Sequence, residues 1–149
     1  MYWILFVMAA IAAIVIALIV GGLATPRDYI VARTTVMPAA PDTVWKAIRE
    51  LLTDGSLSFT VTTEEAPHRL VADALDDNLQ VAGNWTWTLA PEHDGTRVTI
   101  TSRGSVGNPV VRFIRTFVGH TRSMDKHLRE LGISLDVHSL TIDDLKTGD

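Results

Sequence analysis

Five histidines, seventeen acidic side chains and no cysteine are the reactive stock of this 149-residue chain. Two of the histidines, His120 and His127, fall in one helical stretch. Seven residues along a helix span ~10 Å, too far for both to ligate one metal ion. His120 lies at the edge of an apolar stripe and is the best-placed general base, although a histidine there more simply makes a helix-flank hydrogen bond. Asp73 sits on a strand pattern, where a salt-bridged or solvated carboxylate is the simpler reading. There is no nucleophile elbow and no phosphate-binding glycine loop, so the sequence assigns no catalytic residue, no metal site and no cofactor. Another chemistry is legible in Arg112, Arg115, Arg122, Lys126 and Arg129, which step along one helical face opposed on that helix only by Asp125 and Glu130. Such a face can contact anionic lipid headgroups, or it is an ordinary solvated face.

What would bring that face to lipid is the start of the chain. Residues 1–24 carry no charged side chain, and Arg27 and Asp28 end the run. A run of ~20 apolar residues crosses the hydrocarbon core as a helix, because a helix satisfies its own backbone groups there. Tyr2 and Trp3 suit the membrane interface at its outer end. Residues 2–24 therefore predict one transmembrane anchor. A cleaved secretory signal competes, with Gly22-Leu23-Ala24 as the cut, but no Lys or Arg precedes the run and it exceeds a usual signal core. Arg27 and Arg33 follow closely, and the positive-inside bias then places the remaining chain in the cytoplasm. Ala9, Ala13, Ala17 and Gly21 make a small-residue ridge that either supports a homodimer through the anchor or arises by chance in an alanine-rich span. The lack of cysteine excludes a disulfide framework, and Asn84-Trp85-Thr86 is a glycosylation acceptor only in a secreted eukaryotic chain. A net charge of −4 gives no nucleic-acid signal.

About 120 residues remain, enough for one domain with one core. That domain is expected over 28–132, with a flexible tail over 133–149. Residues 28–36 are rich in β-branched side chains and read as a strand. Pro41 suits a first helical position and Asp42 a first turn, and Val44, Trp45, Ile48, Leu51 and Leu52 recur at helical spacing before Asp54-Gly55. Alternation marks strands near Phe59, over 69–75 and over 81–89, where Trp85, Trp87 and Leu89 share a face. Asp94-Gly95 signals a hairpin turn, after which Val98 and Ile100 oppose Thr99 and Thr101. Asn108 and Pro109 open the last element and Gly132 suits its stop. Between them Val110, Ile114, Phe117, Thr121, Met124, Leu128 and Leu131 predict one continuous amphipathic helix ~35 Å long.

Strand, short helix, antiparallel sheet and long C-terminal helix is an order that resembles the START-like, helix-grip superfamily, and more narrowly SRPBCC domains of the polyketide cyclase/dehydrase and lipid-transport type. The resemblance spans roughly residues 31–131. It rests on Pro41-Asp42-Thr43-Val44-Trp45, Gly83-Asn84-Trp85-Thr86-Trp87, the run from Gly95 to Thr101, Asn108-Pro109 and Phe117-Val118-Gly119-His120-Thr121. It implies an α+β fold in which the sheet wraps around the last helix, and an apolar cavity between them for a hydrophobic small molecule or lipid. Phe59, Trp85, Trp87, Ile100, Phe117, Met124 and Leu128 would line that cavity, or else fill a plain core. Relatives carry a second small helix and one or two strands where this chain has only Leu52-Thr53-Asp54-Gly55-Ser56, which leaves the pocket open, shallow or collapsed. The expectation is a membrane-anchored START-like domain that binds or presents a hydrophobic molecule. The alternatives are a non-binding interaction domain at the membrane and a small cyclase-like enzyme.

Overall fold

A computed structural model describes residues 1–54, 59–76, 81–119 and 122–145. Alternating side chains and short turns build an antiparallel sheet from β1 (Asp28–Met37), β2 (Phe59–Glu65), β3 (Arg69–Asp76), β4 (Val81–Glu92), β5 (Gly95–Val106) and the two-residue β6 (Asp143–Asp144). Their order across the sheet is β2-β3-β4-β5-β1-β6. In register, Leu70, Trp87 and Ile100 form one inward row, and Ala72, Trp85 and Ser102 the next. All six are buried. A slip of one residue would turn both tryptophans to solvent, so burial pins the register.

Two strand details depart from the expectation. Glu92 pairs with Gly95, so His93 and Asp94 make the hairpin turn, one residue earlier than the Asp94-Gly95 signal implies. Gly95 is needed for a close approach instead: a Cβ there would sit 1.9 Å from the Met37 carbonyl oxygen. On β2, Phe59 is half-buried but Val61 is exposed: β2 is the edge strand, and its register shifts between Val61 and Thr63.

Four helices, α1 (Tyr2–Ala24), α2 (Pro41–Asp54), α3 (Pro109–Val118) and α4 (Arg122–Ser134), complete the described fold. α1 is long and apolar enough to cross a membrane. α2 starts at Pro41 with Asp42 in its first turn and buries Val44, Trp45, Ala47 and Ile48 against the sheet. The single C-terminal helix expected from the stripe is two helices. Gly119 separates them at φ 82 and ψ 154, a conformation tolerated essentially by glycine alone. Asn108 caps α3 as expected, its side-chain oxygen accepting from the Val110 and Val111 amides at 2.9 and 3.3 Å.

The bend divides the stripe. On α4, Met124, Leu128 and Leu131 are buried in the core. On α3, Ile114, Phe117 and Val118 are 49, 76 and 52 % exposed, so Phe117 does not face the sheet. α4 runs past Gly132 and stops in a Schellman closure, with Asp136 at φ 62 and the Val137 amide donating to the Gly132 carbonyl at 2.8 Å. The segment expected to be loose folds back through residue 145. Leu135, Leu140 and Ile142 pack on the core, the Thr35 hydroxyl donates to the Thr141 carbonyl at 2.7 Å, and β6 pairs with β1.

Candidate functional site

Beneath the tryptophans the interior is an aromatic cluster. The Phe59 ring lies edge-on to Trp85 at 5.4 Å and to Trp87 at 5.7 Å between centroids. His127 of α4 approaches Trp85 at 5.1 Å. Among the described residues, a void of about 10 Å³ lies between α2, Trp87, Ile100, His127 and Leu131. That volume holds one water at most. Leu51 and Leu52 of α2 line it and close it on that side. Of the seven residues proposed to line a cavity, Trp85, Trp87, Ile100, Met124 and Leu128 are buried, Phe59 is half-buried against them, and Phe117 lies outside the cluster.

A larger space lies on the opposite side of α4. Between α3 and α4 runs an open groove of about 790 Å³, lined by Arg115, Val118, Gly119, Arg122, Asp125, Lys126, Arg129, Glu130 and Ile133. Four of the five cations expected on one face therefore share one concavity. Its carboxylates are both engaged. Asp125 accepts from Nε and an Nη of Arg33 at 2.7 and 2.8 Å, and Glu130 lies 3.6 Å from Lys126. The Arg33 guanidinium is held above its usual pKa, first by the hydrogen bond to Asp125 and further by Asp144, against the opposing cost of burial. Arg115 sits over the Tyr29 ring at 5.9 Å, a cation–π arrangement. Among the described residues Arg122 and Arg129 make no ion pair, which leaves the groove a net positive surface. Val118 and Ile133, its apolar lips, were not singled out from sequence; Gly119 inside a helical pattern was the available signal.

Arg112 is the exception among the five cations. It is 4 % exposed and points at the end of α1, donating to the Thr25 carbonyl at 3.0 Å and to Gly107 at 3.3 Å. Carbonyls at a helix C-terminus lack intrahelical partners and carry partial negative charge, so a cation is favoured there. The expected headgroup contact is corrected at this position: Arg112 is a clamp between α1 and α3. The same junction explains two glycines. A Cβ on Gly22 would sit 1.8 Å from the Pro109 carbonyl oxygen, and one on Gly21 would strike the Phe113 ring at 2.5 Å. Gly21 thus faces α3, which removes it from the ridge expected to meet a second copy.

The other candidates fall elsewhere. Asp73 is exposed, in register with Asn84. His120 and Thr121 lie outside the described residues. Among the described residues no three metal-ligating side chains cluster.

No family model matches the sequence, and no curated protein does either. Solved structures do match the fold. A conserved protein from Geobacillus kaustophilus aligns with TM-score 0.60 and 14 % identity over 76 % of this chain and 99 % of its own. The di-domain aromatase/cyclase BexL of the BE-7585A biosynthetic pathway aligns with TM-score 0.54 and 13 % identity, covering 73 % of this chain and 49 % of BexL. Norcoclaurine synthase from Thalictrum flavum, solved with dopamine and hydroxybenzaldehyde, aligns with TM-score 0.55 and 11 % identity over 80 and 92 %.

The fold is START-like.

In this START-like, polyketide-cyclase-type frame the sheet grips α4, as expected, and α4 alone occupies the position expected for the whole C-terminal helix. At these identities the likeness is one of fold. The chemistry has to come from this chain's own groove and clamp.

Proposed function

We propose that this chain is a membrane-anchored START-like domain that holds an anionic amphiphile, such as an acidic phospholipid, in the groove between α3 and α4 and presents it at the bilayer surface unchanged. The observation that carries this reading is the groove itself. Its volume of about 790 Å³ is of ligand size, its cations suit a phosphate, and Val118 and Ile133 suit the first methylenes of an acyl chain. Guest-carrying in the interior is less favoured. A small-molecule site needs at least ~300 Å³, whereas the void that the described residues enclose under Trp87 is about 10 Å³.

α1 serves in this reading as a retained anchor, with the domain on the cytoplasmic side. Retention is supported by the junction: a cut after Ala24 would remove Gly21 and Gly22 and strip their cover from Phe113 and the Pro109 backbone. Arg27, exposed just past α1, supports the orientation.

The test uses the full chain in neutral detergent micelles, titrated calorimetrically with short-chain phosphatidylglycerol and phosphatidylcholine. The acidic lipid should bind at least about tenfold more tightly, ~1.4 kcal/mol. Arg122→Gln combined with Arg129→Gln should abolish that preference. Equal affinity of the unsubstituted chain for the two lipids would reject the groove as a headgroup site.

A further inference from the structure

The covered part of α1 is confined to its end. Leu18, Gly21 and Thr25 are half-buried and Gly22 is buried, while the rest of the helix is exposed. α3 provides the cover, with the Phe113 ring over Gly21 and the Pro109 backbone against Gly22. This placement fixes a depth. A 23-residue helix is ~35 Å long. Centred in a hydrocarbon layer ~30 Å thick, it keeps Leu18, Gly21 and Gly22 within the apolar zone near one boundary. Whatever packs on those residues shares their level.

α3 has the side chains for that level. Ile114, Phe117 and Val118 project from it, and they are apolar. Its polar groups lie elsewhere: Arg112 reaches the Thr25 carbonyl, Arg115 lies over the Tyr29 ring at the groove, and the Thr116 hydroxyl bonds back to the Arg112 carbonyl at 3.2 Å. An apolar face backed by arginines is the composition of helices that lie in a membrane interface. From this juxtaposition we infer that α3 is itself a membrane element, with Ile114, Phe117 and Val118 sunk among the acyl chains beside α1. The occupant of the exposed face is the bilayer boundary, because the face is continuous with the span it packs against. The inference rests on the reading of α1 as a transmembrane anchor. It also gives the groove between α3 and α4 a lateral opening at headgroup height.

The chain has no cysteine, so single labels can be placed without other changes. Phe117→Cys, Ala13→Cys and Lys46→Cys in the full chain, each carrying an environment-sensitive fluorophore, would be reconstituted in vesicles containing brominated phosphatidylcholine. Phe117 is exposed, so its replacement spares the core. Labels at 13 and 117 should lose most of their emission to the bromolipid, whereas the label at 46 should keep it. Quenching at 13 without quenching at 117 would overturn the membrane role of α3 alone. Quenching at neither would overturn it together with the anchor reading. A label at 117 shielded from both bromolipid and aqueous iodide would overturn it in favour of a protein cover, such as a second copy.

Discussion

α3 and α4 carry one stripe of apolar residues at one spacing, yet they treat it in opposite ways. α4 spends Met124, Leu128 and Leu131 on the core. α3 leaves Ile114, Phe117 and Val118 outside and rests its remaining apolar side on α1. A periodic stripe specifies a face of a helix and says nothing of what covers it. Here the break that follows α3, where Gly119 leaves the helical region, separates the two halves of the stripe. The wet, cationic side then becomes concave, because two helices at an angle enclose space that one straight helix cannot.

Substitutions on the two halves should separate them by size of effect. Leu128→Ala should cost ~2–5 kcal/mol, since the site is fully buried and its neighbours collapse only in part. Denaturant unfolding of the full chain in micelles measures it, and a loss below ~1 kcal/mol would mean that the grip on α4 is looser than described. Gly119→Ala should cost ~1–3 kcal/mol through backbone strain alone, as nothing lies within 4 Å of a Cβ there. If that variant were as stable as the parent, α3 and α4 would not need the bend, and the groove would close with it. Phe117→Ala should change stability in micelles by no more than ~1 kcal/mol, since its ring is exposed and its contact is an edge-on one with Phe113 at 5.1 Å between centroids. A large loss there would erase the contrast with Leu128.

Much of the START-like frame was legible because its signals are local. Trp85, Trp87 and Leu89 alternate, Pro41 and Asn108 sit where helices begin, and Ile100 faces inward as its strand pattern requires. The bend was hidden because Gly119 falls inside an unbroken four-and-three spacing that predicts a straight helix. The clamp was hidden for a different reason. Arg112 matches its neighbours in type and step, and only a carbonyl 87 residues away distinguishes it. Gly21 was visible as a small residue, but its partner, Phe113, belongs to a helix far along the chain. The return of the tail rests on two apolar side chains, Leu140 and Ile142, too few to establish a period. Of the three outcomes left open by the short link after α2, the described residues speak only to the space beside Leu51 and Leu52, a void of about 10 Å³; the link itself lies outside them.

The tie between the Arg112 guanidinium and the carbonyl of Thr25, which caps α1, has a mechanical consequence. Gly21 and Gly22 seat α3 without a side chain between the backbones, and the guanidinium locks the seat from the side. A leader joined only through Thr25-Pro26 would let the folded unit swivel freely beneath it. Joined this way, leader and sheet turn together, and the mouth beside Arg122 keeps a constant bearing relative to whatever surrounds α1.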